Sequence, residues 1–108
     1  MTSAQGIHLV NSSNIVTKLN GTANGAANWT VDAAPGIDKY KLELKSFTAQ
    51  QAAPDLSTGA TVVTNTDVFE TNIPAGTDRW IYGKFSMPTA SSTAATQHIN
   101  VTITATVP

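Results

Sequence analysis

In the strand read from Gln97 to Val107, apolar and polar side chains alternate without a break from His98 onward. Ile99, Val101, Ile103, Ala105 and Val107 fall on one face of an extended chain. His98, Asn100, Thr102, Thr104 and Thr106 fall on the other. A strand sends successive side chains to opposite faces, whereas a helix needs apolar residues three and four apart. Five apolar residues at period two, with β-branched Thr between them, therefore specify a strand with one wet face. A chain carrying such a strand must supply neighbours for it and a second layer to cover its apolar side.

The rest of the chain reads the same way. In 38–47, Tyr40, Leu42 and Leu44 point to one side, and Lys39, Lys41, Glu43 and Lys45 to the other. Further strands are expected at 6–10, 14–19, 29–31, 61–65, 68–72 (a separate strand or a continuation of 61–65) and 77–87. The run Asn20-Gly21-Thr22-Ala23-Asn24-Gly25 reads as turns, because Gly and Asn accept positive φ at low cost. Pro35-Gly36 and Pro74-Ala75-Gly76 are turn signals. The best helical candidate, Thr48 to Ala53, is stopped by Pro54 after two turns at most. In 77–87, Ile81, Gly83, Phe85 and Met87 are assigned to the core. Trp80, Tyr82 and Lys84 then face outward, or the two aromatics are tucked under a loop. Trp29 is assigned to the core. About seven strands with turn signals every 8–12 residues or so predict one all-β domain over residues 1–108, a sandwich or barrel.

Composition narrows the partners. Charged residues are 12% of the chain and the net charge is −1, against about 25% charged in an average soluble protein. Nucleic-acid binding draws its affinity from clustered Lys and Arg. Six such residues, three of them interleaved with Asp38 and Glu43, do not supply a cluster. No apolar run approaches the roughly 18 residues of a membrane helix, and a polybasic membrane anchor is missing for the same reason as a nucleic-acid surface. There is no Cys, so disulfide and thiol chemistry are ruled out. The opening residues lack the basic and apolar regions of a leader. The chain is therefore expected either to assemble where it is made or to be part of a longer secreted protein.

Catalytic patterns are not evident. A nucleophile triad needs a His base oriented by an acid. The two histidines are His8, in the first strand, and His98, on the wet face of the last. No Gly-x-Ser-x-Gly elbow, phosphate loop or metal-ligand spacing occurs. Asp32 and Asp38 flank the Pro35-Gly36 turn, and Asp67 lies near Glu70; acids in such places are expected to cap turns rather than to bind calcium. Glycosylation sequons at Asn11, Asn20, Asn28 and Asn100 are only a mild excess for a chain rich in Asn, Ser and Thr.

The order of three motifs is more specific than any one of them. Asn28-Trp29-Thr30-Val31 comes early. Ile73-Pro74-Ala75-Gly76 leads into a strand closing on Phe85-Ser86-Met87-Pro88-Thr89. Ile99-Asn100-Val101-Thr102-Ile103-Thr104-Ala105 finishes the chain. Over roughly residues 10–107 this order resembles the Ig-like surface-repeat and accessory domains of bacteria. The resemblance implies an immunoglobulin-like antiparallel β-sandwich and a role as spacer, adhesion or accessory module, with no catalytic residues to carry over.

Together these readings set the expectation of a non-catalytic structural module without cofactor or metal. It would belong to a filament, a surface layer or a decorated virion, outside a cell or on a particle. Its partners would be copies of itself or a larger assembly, meeting through uncharged strand edges, of which the first and last strands are the expected ones. The alternative is a carbohydrate- or receptor-binding adhesion module whose contacts are Trp80, Tyr82 and Lys84.

Overall fold

The computed structural model describes residues 6–108, and among these it contains eight strands and no helix. They are β1 (Ile7–Val10), β2 (Thr17–Asn24), β3 (Thr30–Val31), β4 (Lys39–Phe47), β5 (Thr61–Val63), β6 (Thr66–Ile73), β7 (Asp78–Ser86) and β8 (Asn100–Thr106). One sheet runs β1-β7-β4, with β3 and β5 sharing the far side of β4; the other runs β6-β2-β8. Among the described residues the eight strands pair antiparallel except β3 with β4, where Thr30 faces Lys39 and Val31 faces Tyr40 in parallel. The opening residues 1–5, on which the expectation of no leader partly rests, lie outside the described residues.

The two sheets face each other across an apolar layer. From β4 come Tyr40, Leu42 and Leu44, all buried, with Val63 and Ala23 packed against them. A second cluster joins Leu19, Ile73 and Ile81. Phe69 touches both clusters and bridges them. The alternation in 38–47 thus buries the three residues it pointed inward, and it leaves the Lys and Glu side chains on the outer face. Trp29 is half-buried against the first cluster, and its Nε1–H donates to Ser91 Oγ at 3.0 Å.

Two expectations fail here, the turns at 20–24 and the strand start at 14–16. The predicted turns at 20–24 are the interior of β2, which pairs with β6 on one side and β8 on the other. Gly21 serves packing: a Cβ there would stand 2.6 Å from Leu44 Cδ1. Only Gly25, at φ 93°, makes the turn. Ile15 and Val16, expected in a strand, are exposed and precede it. No helix forms at 48–53, where the loop is held down from below by Tyr82. Residues 61–73 divide into β5 and β6, which belong to different sheets.

β6 carries two extra residues opposite β2, one on each side of Glu70: Thr17 pairs with Ile73, Leu19 with Glu70 and Asn20 with Val68. Such bulges re-aim side chains. Phe69 packs into the core, and Glu70 reaches across to the other sheet. There the Glu70 carboxylate accepts hydrogen bonds from Ser46 Oγ, from Asn72 N–H at 3.1 Å and from Arg79 Nε at 3.2 Å. Burial pushes the Glu70 carboxyl up, but the Ser46 hydroxyl, the Asn72 amide and the Arg79 guanidinium together hold it below its ordinary value of 4.5. A carboxyl depressed in the folded state contributes stability above the unfolded pKa and loses it as pH falls through the folded one. Glu70→Gln is therefore expected to lower stability at neutral pH and to flatten its decline below pH 4.5, read as the difference in urea midpoint between about pH 7 and pH 3.

Candidate functional site

The three residues singled out on β7 do not form a common surface. Their outward direction is as expected, but a loop covers the middle one. Tyr82 has no exposed surface. Its hydroxyl accepts the Gln51 N–H at 2.9 Å and lies 3.3 Å from the Gln51 carbonyl, to which it donates. Phe47 packs on its ring edge-on, with centroids 5.6 Å apart. Lys45 pins the same loop further along, donating from Nζ to the carbonyls of Asp55 and Thr58 at 2.9 and 2.7 Å. Tyr82→Phe removes the polar anchor and keeps the ring. It is expected to cost about 1–2 kcal/mol and to speed hydrogen exchange at Gln51 without altering the strands.

Trp80 is half-buried, and His8 from β1 stacks on it at 4.2 Å with the rings within 9° of parallel. His8 Nε2 lies 2.7 Å from Asp78 Oδ2. Lys84 is exposed, cross-strand from Glu43. The aromatic pair is thus one buried anchor and one ring with a histidine on its face, and it offers no flat aromatic platform.

The loop acids are occupied by local donors. Asp32 accepts the Ala33 N–H and pairs with Lys39, Asp55 accepts Ser57, and Asp67 accepts the Thr64 and Asn65 amides. Asp38, at φ 56°, accepts the Ser92 amide and hydroxyl and ties the 89–93 loop to the Pro35-Gly36 turn. These donors hold Asp32, Asp38 and Asp55 below the ordinary carboxyl value. Among the described residues no three His, Asp or Glu gather as a metal site would require.

Between the sheets, on the side where β8 and β1 end them, the sandwich-like stack stays open. A slot of about 290 Å³ lies there, floored by Leu42, Leu44 and Ile81. Its rim is Ile7, Phe85, Val101 and Ile103. Ile7, Phe85 and Val101 are 47%, 39% and 46% exposed, and Met87 beyond the slot is 61% exposed. Phe85 does lie on the core-facing side of β7, as expected, against Tyr40, but Met87, also assigned to the core, lies past the end of the strand and is exposed. Contiguous exposed rims of large apolar side chains are uncommon on monomeric proteins.

The strand bordering the slot is β8. Seven consecutive pairs join it to β2, from Lys18–Thr106 to Asn24–Asn100, with no break in register. Among the described residues its other side has no strand beside it. The expectation that the first and last strands form edges holds among the described residues for both, since there β1 pairs with β7 alone. The slot itself went unread in the sequence. Alternation gives the direction of Phe85 and Val101, but the cover over them depends on where two sheets end.

Comparison of the chain with protein-family models, with curated proteins and with solved structures finds no match in any of the three.

Proposed function

We propose that this chain is an immunoglobulin-like β-sandwich that acts as a non-catalytic structural module of a surface or particle assembly, as a filament, surface-layer or virion-decorating subunit outside the cell or on a virion. Protein–protein contact is its mode of action. The observation that carries this reading is the open side of the stack, where a regular, uncharged edge strand borders an apolar slot rimmed by Ile7, Phe85 and Val101. An edge of this kind is a template for strand addition, and natural monomers usually blunt it with charge, Pro or a bulge. Low charge supports the same reading, because identical copies pack densely with little repulsion. The motif order that resembles bacterial Ig-like surface repeats supports the fold and the role together.

Sedimentation velocity over a wide concentration range, with electron microscopy of the same samples, tests the proposal. The expected result is a population of larger species that grows with concentration. A single monomeric species throughout would overturn it.

A further inference from the structure

The edge strands of this protein are not equally protected, and the difference identifies a partner. β3 and β5 have two and three residues, too short to template a new pairing. β1 has four, and His8 beside Asp78 puts ionisable groups along it. β6 is long but bulged, and Asp67 and Glu70 put ionisable groups along it. β8 has seven residues, no charged side chain, no Pro and an unbroken register with β2. Among the described residues it is the one long edge with none of the usual guards.

We infer that β8 pairs antiparallel with β8 of a second copy about a two-fold axis at Ile103, joining two three-stranded sheets into one of six strands. This rests on the reading of the chain as an assembly module. The sequence suits such a self-pairing. With Ile103 on the axis, Thr102 faces Thr104 of the other copy, and Val101 faces its Ala105. The outer face then carries Thr–Thr pairs, and the inner face apolar pairs, both favourable across antiparallel strands. A two-fold contact needs a self-complementary patch, and an uncharged strand meets that condition without repulsion. Size also fits. A seven-residue strand is roughly 24 Å long and the shortest extent of the molecule is 22 Å. Each copy would bury on the order of 500–700 Å² of this side, so the pair falls within the lower part of the range for specific interfaces. The second copy would also extend the layer over Val101 and Phe85 at the mouth of the slot.

The absence of Cys makes disulfide trapping clean. Thr102→Cys and Thr104→Cys are exposed positions on the solvent face of β8. Mixed and oxidised, they should form a disulfide dimer several-fold more than either variant alone, because cross-strand Cα separations in a sheet lie in the disulfide range. Thr71→Cys on β6, also exposed, serves as the control. A second variant, Thr102→Lys with Thr104→Lys, sets like charges opposite one another only in the dimer. It should weaken association about tenfold while leaving the thermal melt of the dilute protein unchanged. Larger species in the wild type, with no more trapping in the mixture than in the control, would overturn the β8 pairing and leave the assembly reading standing. A monomer at every concentration would overturn both.

Discussion

Leu19→Ala is expected to lower the unfolding free energy by roughly 3–4 kcal/mol, read as a shifted urea midpoint at constant slope. Leu19 is fully buried in β2, the central strand of its sheet, and packs in the cluster with Ile73 and Ile81. Strands on both sides hold its backbone in place, so the cavity left by truncation cannot readily collapse. For a domain of this size, with a total stability on the order of 5–15 kcal/mol, the variant stands near the unfolding threshold. Val101→Ala, also on the inner face of the same sheet, supplies the contrast. That side chain is 46% exposed on an edge strand, and its loss is expected to cost the monomer about 1 kcal/mol or less. If the two changes cost the same, the division between a closed core and an open side would be wrong.

Asn11→Ala is expected to cost roughly 2–4 kcal/mol, although no apolar core is touched. Asn11 is a buried polar residue, 7% exposed. Its Nδ2 donates to the carbonyls of Ile15 and Ile73, each at 2.9 Å. Its Oδ1 accepts the Ser13 amide and hydroxyl at 3.2 and 2.6 Å. Its backbone pairs with Thr77 and Gly76, so one residue ties the β1–β2 connection to the turn before β7. Alanine leaves the Ile73 carbonyl without its side-chain donor in a buried position, while the Ile15 carbonyl keeps Ser13 Oγ, and an unsatisfied buried group costs more than a made bond contributes. Asn11→Asp keeps the shape and removes the donors, so it should be at least as damaging. Urea titrations of both variants check this; an Asp variant as stable as wild type would contradict the assigned hydrogen bonds.

These two residues also mark how far the sequence could be read. The strands around Tyr40–Leu44 and Ile99–Val107 were legible because alternation at period two is a local signal; Tyr40, Leu42 and Leu44 are buried as it assigned, whereas Val101 and Val107, assigned to the same kind of inward face, are 46% and 65% exposed, and Val107 lies past the end of β8. Asn11 was not, because a polar residue in a Ser/Asn-rich stretch carries no periodicity; it reads as a sequon, and its burial depends on Ile73, 62 positions away. Gly21 misled for a related reason. Glycine beside Asn is turn chemistry locally, yet here it makes room for Leu44 from the opposite sheet. Tyr82 and Trp80 alternate outward as expected, but the cover over Tyr82 comes from Gln51 in a loop with no pattern of its own. The uncharged edges could be read directly, since charge is visible in a sequence even where pairing is not.

The most direct test of the account is hydrogen exchange along β8 at rising protein concentration. In a lone molecule, the outward-facing amides of an edge strand exchange readily, while those bonded to β2 are protected. If this protein works by joining copies at that edge, protection across Asn100–Thr106 should rise with concentration while β1 and β6 stay unchanged. Exchange along β8 that is rapid and independent of concentration would contradict the account.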